Sequence, residues 1–301
     1  MLRNGGLRTA AEMEDKATTT RPSSTANFVL DSIDRFQYDG SGPSTNFSIN
    51  KPNSLFNGFF NRIAMTEIVL DWCIPNISSN YEPANNTFSV TIGATTHVVT
   101  LQNGSYNIAE TLDTIVILLN DAGAFGAGTF RIEDMFGNLY GSSSFGEAFL
   151  ATTGGGNFTI NPTLLADQLD LATGISAAAY PLGCPKLLPI YYLDFVSPQL
   201  TYNQELKDNS TSLVVRDVLY RWVLAYDNGP IPYDKYGYAI LQGYKPFVSR
   251  RYLNFPKQIL WNPNQPIGQL TFQVYSSFGE LFDTTGLGLL EYQMGFLISE
   301  N

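Results

Sequence analysis

A single histidine, His97, serves all 301 residues. That excludes any metal centre built from several imidazoles, and it leaves a Ser-His-Asp triad only one candidate base. Cysteine is nearly as scarce. Cys73 and Cys184 cannot form a disulfide framework, and their apolar neighbours predict two free, buried thiols. Charged residues make up only 15% of the chain, and no run of about 18 apolar residues exists, so no membrane span is expected. No apolar core of the signal-peptide kind opens the sequence. The six Asn-x-Ser/Thr sequons, at Asn46, Asn76, Asn85, Asn103, Asn157 and Asn209, are therefore read as chance matches in a chain rich in Asn, Ser and Thr. The net charge of -10 argues against a body that wraps a nucleic-acid phosphate backbone.

What is abundant points to β structure. Apolar residues reach 44%, with 20 Phe and 17 Tyr, a packable composition that favours sheets and interfaces. The strongest stretch is Asn61 to Ser78. Ile68, Leu70 and Trp72 share one side of a period-2 pattern, and Glu67 and Asp71 share the other, as in a half-buried strand. Pro75 cannot donate to a ladder, so pairing is expected to end near Ile74.

Residues 1–25 read as an extended N-terminal arm of net charge +1, with a Thr run and no apolar core, either a disordered terminus or a tether that orders on a partner. A strand is expected at Phe28-Val29-Leu30, a turn at Gly40 to Pro43, and a short strand through Phe47 and Ile49. Residues 79–182 read differently. Thr87 to Leu101 predicts a hairpin turning at Gly93 to Thr96. Asn107 predicts an N-cap with Glu110 completing a capping box, and Ile108, Leu112, Ile115 and Leu119 recur at helical spacing. Strands follow at Thr129–Ile132 and Asn157–Ile160. A second short helix is expected to be capped by Asn161, with Pro162 at its first position. From Lys186 the β pattern resumes, with apolar runs at Leu188–Val196 and Ser212–Tyr226 and a turn at Asp227-Asn228-Gly229. The last strand carries Leu290, Tyr292, Met294, Phe296 and Ile298 on one face.

The chain thus divides into 1–25 (arm), 26–78 (first part of a β domain), 79–182 (an inserted small α+β domain) and 183–301 (second part). Neither β part has strands enough to close alone. Together they offer about eight, the number a single jelly-roll β-sandwich uses. The expected fold class is mainly β.

The suggestive residues do not assemble into a catalytic set. His97 sits in a hairpin strand and reads as a sheet-surface residue. Glu67 and Asp71 on one strand stand about 13 Å apart, from a rise of about 3.3 Å per residue. Glycosidase carboxylates need about 5 to 9.5 Å. Gly154-Gly155-Gly156 lacks the Lys-Ser/Thr of a phosphate loop, and Asp227-Asn228-Gly229 lacks further ligands at calcium-loop spacing. No catalytic, cofactor-binding or metal residues are assigned, and no enzymatic activity or cofactor is expected.

One resemblance adds to this reading. Arg62-Ile63-Ala64 through Trp72-Cys73-Ile74-Pro75-Asn76-Ile77-Ser78 resembles the minor capsid (penton) proteins of virophages and polinton-like DNA viruses. Gly104-Ser105-Tyr106-Asn107-Ile108 opening a helix is similar, as are Pro263 to Leu270 and Ser277-Phe278-Gly279-Glu280-Leu281. The likeness covers roughly residues 26–301. It implies a jelly roll with an inserted domain, five copies forming a capsid vertex, and double-jelly-roll major capsid trimers around it. It implies a virion protein assembled inside the infected host cell, whose arm reaches other minor capsid proteins. The Arg-Gly-Asp of adenovirus penton bases is absent. The competing reading is a β-sandwich carbohydrate- or receptor-binding virion protein that stacks ligands on Tyr233, Tyr236 and Tyr238.

Overall fold

The computed structural model describes residues 25–36, 43–50, 62–124, 128–134, 138–139, 148–154, 156–201, 218–224, 230–254, 258–260 and 268–299. The arm to residue 24, most of the turn at Gly40 to Pro43, the turn at Asp227-Asn228-Gly229 and the sequon at Asn209 lie outside them.

Strands β1 (Thr25–Asp31), β2 (Asn46–Asn50) and β3 (Arg62–Trp72) precede a long excursion. The excursion carries β4 (Thr87–Ile92), β5 (Thr95–Thr100), helix α1 (Ile108–Asp121), β6 (Phe130–Glu133), β7 (Phe149–Thr152), β8 (Phe158–Ile160), helix α2 (Leu164–Gln168), β9 (Ser176–Ala177) and β10 (Ala179–Pro181). Then come β11 (Tyr192–Val196), β12 (Val218–Val223), β13 (Phe247–Tyr252), β14 (Gln258–Leu260), β15 (Gln269–Ser276) and β16 (Leu290–Ser299).

The pairing is nested. The first strand pairs with the last, β1 with β16. The second pairs with the last but one, β2 with β15. Then β3 pairs with β13, and β11 with β12 at the centre. This is a long hairpin rolled onto itself. It produces two antiparallel sheets, ordered β1-β16-β3-β13 and β12-β11-β15-β2. That order is a jelly roll, and the fold is mainly β as expected. The short β14 adds to β3 beyond the end of β13.

The two sheets face each other across one core. Phe195 of β11 meets Tyr292 of β16 edge-on at 5.0 Å between centroids, and Phe47 of β2 lies 6.3 Å from the same ring. Trp72 stacks on Phe282 at 6.2 Å. Ile68, Leu70 and Trp72 are buried and Glu67 and Asp71 partly exposed, so β3 alternates as its sequence predicts. Each such fully buried large side chain contributes about 1.5–3 kcal/mol. Strand β3 stops near Ile74, as expected. It ends at Trp72, two residues before Ile74, because Cys73 turns to donate its N–H to Leu289. It also carries a bulge at Thr66, opposite the register shift between Gly295 and Phe296. A side chain at Gly295 would bring its Cβ within 2.5 Å of Glu67 Cγ, so any larger residue there must displace the Glu67 side chain.

The excursion between β3 and β11 has two sheets of its own, β5-β4-β8-β9 and β10-β7-β6. Its hairpin and α1 stand where the sequence puts them. Asn107 accepts from the Glu110 N–H at 2.8 Å, and Glu110 accepts in return from the Asn107 N–H at 2.9 Å. The second helix is shifted. Thr163 caps it, accepting from the Ala166 N–H, while Asn161 instead bonds to Ser89 and Thr91 on β4. The sheet contact takes the Asn161 side chain away from the helix. Both thiols are also misplaced by sequence reasoning, for Cys73 and Cys184 are exposed. Cys73 follows the end of β3, and Cys184 lies in the loop after β10, where its N–H donates to Asp170 Oδ2.

Candidate assembly surfaces

The register of the β1-β16-β3-β13 sheet fixes which features lie at which end. Thr25 pairs with Ser299, Ser299 with Arg62, and Arg62 with Leu260, so both described chain ends stand together. At the opposite end, Trp72 pairs with Leu290 and Phe247. Ten residue steps of β3 separate the two ends, about 33 Å at about 3.3 Å per step. The 73–191 excursion leaves from the Trp72 end. The described chain therefore begins at one end of the sandwich, and the 73–191 excursion leaves from the other.

The two edges of this sheet are unlike. On the β1 side, Val29 is 52% exposed, and Ile33 in the following turn is exposed beside Asp31 and Asp34. On the β13 side, Val248 is 70% exposed, with Tyr252 exposed four residues further along the strand. The Arg250 guanidinium lies 4.6 Å from the Tyr252 ring and bonds Glu67 Oε2 at 2.5 Å. Val29 and Val248 both point away from the core, because their neighbours Leu30 and Phe247 point inward. One flank thus offers small aliphatic groups near carboxylates, and the other an aliphatic–aromatic pair near a guanidinium.

A third surface joins the excursion to the loop between β12 and β13. Asp234 is its centre. Its Oδ2 accepts the N–H of Ala109, in the first turn of α1, at 3.0 Å. Its Oδ1 accepts the N–H groups of Tyr236 at 2.9 Å and Tyr238 at 3.0 Å. A carboxylate at a helix N-terminus satisfies an orphan donor and meets the positive end of the helix dipole. Around it, Tyr236 donates its hydroxyl to Asp113 at 2.5 Å, Lys235 pairs with Asp113, and Lys245 with Glu110 at 2.6 Å. Both lysine pairs are half exposed and add little in water.

This contact corrects the tyrosine reading. Tyr233 is 67% exposed, but Tyr236 is only 6% exposed and Tyr238 is partly buried, so the three do not form one stacking platform. The other candidates fall apart similarly. His97 lies on β5 opposite Val90, as expected. Glu67 is bound by Arg250 on the outer face of the sheet. Asp71 lies on the same face and accepts from the Cys73 thiol at 3.4 Å. Desolvation, then that hydrogen bond and the Asp71 charge, raise the thiol pKa and keep it protonated. Gly154 takes a turn at φ +87° after β7. Among the described residues no three His, Cys, Asp or Glu side chains converge.

Asp234 escaped sequence reasoning because nothing local marks it. It precedes no helix of its own, and the donor it serves is 125 residues upstream. No protein-family model matches the chain, and no curated protein matches it. Among solved structures, the mavirus penton protein is similar at a TM-score of 0.48, with 13% identity over 92% of this chain and 99% of that one.

Proposed function

We propose that this chain is a structural, non-enzymatic capsid protein, and that five copies close into the vertex of an icosahedral DNA-virus particle. The observation that carries the reading is the pair of unlike flanks on one jelly-roll sheet. A surface that cannot match itself but can match a different surface of the next copy gives head-to-tail contacts, and such contacts close into rings. Val29 and Ile33 on one copy would meet Val248 and Tyr252 of the next, with Asp31 and Asp34 facing Arg250. Exposed aliphatic and aromatic groups with arginine are the side chains that anchor interfaces.

The polarity of the sandwich supports the rest. With the arm at one end and the inserted block at the other, a vertex ring would direct the arm inward, toward other minor capsid proteins, and the block outward. Around the ring the partners are double-jelly-roll major capsid trimers, as the sequence resemblance implies. The protein then resides in the virion, after assembly inside the infected host cell. We further propose that 79–182 is a separate inserted domain within a jelly roll made of 26–78 and 183–301. Native mass spectrometry of the purified chain, alone and with its major capsid protein, tests the ring. A fivefold species is expected; a stable isologous dimer, or a monomer unchanged by the capsid partner, would defeat it.

A second reading draws on the groove between Pro230 and Ser249. Its volume is about 350 Å³, its walls include Ile231, Ile240, Leu241 and Phe247, and exposed Tyr233 adjoins it in sequence. A carbohydrate-binding virion protein would use such a groove, and a glycan array with a sugar-dependent rise in melting temperature would favour that reading.

A further inference from the structure

The charge of this chain is not spread evenly. Between residues 79 and 182 the sequence holds nine Asp and Glu and a single basic residue, Arg131, so that stretch carries -8 of the chain's -10. The same stretch contains the edge strand β5, which pairs with β4 on one side only among the described residues. Its sequence, Thr95-Thr96-His97-Val98-Val99-Thr100, has no Lys, Glu, Asp or Pro. Edge strands are ordinarily blunted by such residues or by bulges, and the β4–β5 register runs without a shift.

The hairpin geometry determines which backbone groups are free. Ile92 and Thr95 flank the two-residue turn Gly93-Ala94, so they exchange both of their hydrogen bonds across it. The N–H and C=O groups of Thr96 and Val98 then point away from β4. The other edge of β4 follows the same phase, since Ser89 presents its carbonyl to the Asn161 N–H at 2.9 Å. Thr96 and Val98 also expose their side chains, Val98 to 63%. Among the described residues the edge is thus a β-branched template with open donors and acceptors, within the stretch of sequence that carries most of the chain's negative charge.

We propose that β5 is a docking edge for an extended basic segment of another polypeptide, which adds to the β5-β4-β8-β9 sheet as a fifth strand. Backbone pairing supplies the template, and the net negative charge that the stretch keeps after its pairs with Lys235 and Lys245 selects lysine- or arginine-bearing strands. Charge also decides against a second copy of this chain. Lys235 and Lys245 neutralise two carboxylates of the stretch, so two β5 edges brought together would bring two blocks of about -6 into apposition, a repulsion that a basic strand turns into attraction. The chain's own Lys16–Arg21 segment does not reach. Four residues connect Arg21 to Thr25, at most about 14 Å per copy, and Thr25 lies at the end of the sandwich remote from the insertion.

The full-length chain can be tested with a dye-labelled, end-capped seven-residue peptide alternating Lys with Thr and Val. Fluorescence anisotropy should show binding that weakens with added salt. Replacing each Lys by Glu should weaken it at least about tenfold. Methylating the peptide's backbone nitrogens, with charge unchanged, should do the same, because the strand can then no longer donate. Hydrogen exchange should slow at the Thr96 and Val98 amides when the parent peptide is present. The variant Val98→Pro removes one outward donor at a position where an edge strand tolerates proline, and it should cut affinity similarly. Equal binding of the methylated peptide, unchanged exchange at Thr96 and Val98, no binding of the parent peptide, or a dimer of the chain that Val98→Pro abolishes would each overturn the proposal.

Discussion

Arg35 and Glu291, 256 residues apart, form a two-pronged ion pair at the corner where β1 leaves its sheet. Arg35 Nη1 bonds Glu291 Oε2 at 2.9 Å, and Nη2 bonds Oε1 at 2.8 Å. Ser32 donates its hydroxyl to the same carboxylate and accepts the N–H of Tyr292 at 2.9 Å. Arg35 also bonds the Ser32 carbonyl at 2.5 Å. The turn Ser32–Phe36 is thereby clipped to the first residues of β16, which sets the path from the outer sheet to β2.

The clip has a pH signature. Burial by itself would raise the Glu291 pKa; the hydrogen bonds from Arg35 and Ser32 and the Arg35 charge outweigh it and hold the group below the usual carboxylate value. A carboxylate lowered in the folded state contributes stability that is fully present above its unfolded pKa of about 4.3 and is lost as pH falls through the lower folded value. Thermal unfolding between pH 2 and 7 should therefore show a steeper acid limb in the natural protein than in Glu291→Gln. Arg35→Met leaves the partly buried carboxylate without its partner and should cost about 1–3 kcal/mol near neutral pH. An identical acid limb in Glu291→Gln would show that the pair contributes nothing.

Tyr292 presents the opposite case. Its ring is central to the core, yet its hydroxyl is buried with no hydrogen-bond partner among the described residues. Burial drives the phenol pKa far above its normal value. A buried unsatisfied hydroxyl costs about 1–3 kcal/mol, and Phe keeps the ring. Tyr292→Phe should raise stability by about 1 kcal/mol in urea unfolding; a clear loss would mean that the hydroxyl is bonded.

Asp234 should be the main tie between the inserted block and the β12–β13 loop. Asp234→Ala removes three backbone acceptor contacts and should cost about 1–3 kcal/mol, with hydrogen exchange accelerating at Ala109, Tyr236 and Tyr238. Asp234→Asn keeps one acceptor and should cost less. Replacing 79–182 by a short Gly/Ser linker should leave a folded sandwich with near-ultraviolet circular dichroism, because loop length costs little entropy. The 230–246 loop should then lose its protection. A deletion product without that signal would show that the block and the sandwich share one core.

The flanks can be tested one at a time. Val29→Glu and Val248→Glu each put a charge into the proposed contact and should abolish rings in native mass spectrometry without changing the melting temperature by more than about 0.5 kcal/mol equivalent. Mixing the two variants should restore at most one interface per pair, giving dimers rather than rings. Deleting residues 1–25 should spare the fold and the ring but reduce vertex occupancy in assembled particles.

Local chemistry made several elements readable. The alternation of Ile68, Leu70 and Trp72, and of Leu290 through Ile298, follows from the two-residue period of a strand. The cap at Asn107 and the buried stripe Ile108, Leu112, Ile115 and Leu119 follow from helix geometry. These depend on residues within a few positions of one another, so sequence determines them. The Thr163 cap shows the limit, since Asn161 had equal local claim until β4 offered it Ser89 and Thr91.

What only the tertiary structure decided is who meets whom. Nothing in the neighbourhood of Asp234 points to Ala109, and nothing near Arg35 points to Glu291. The nested pairing joins Thr25 to Ser299 across nearly the whole chain. The outward turn of Cys73 depends on Leu289 accepting its N–H, and the exposure of Val29 and Val248 depends on their strands lying at sheet edges. A strand's period tells which residues share a face. Whether that face or edge is covered depends on segments hundreds of residues away, whose approach is governed by the closure of the whole roll.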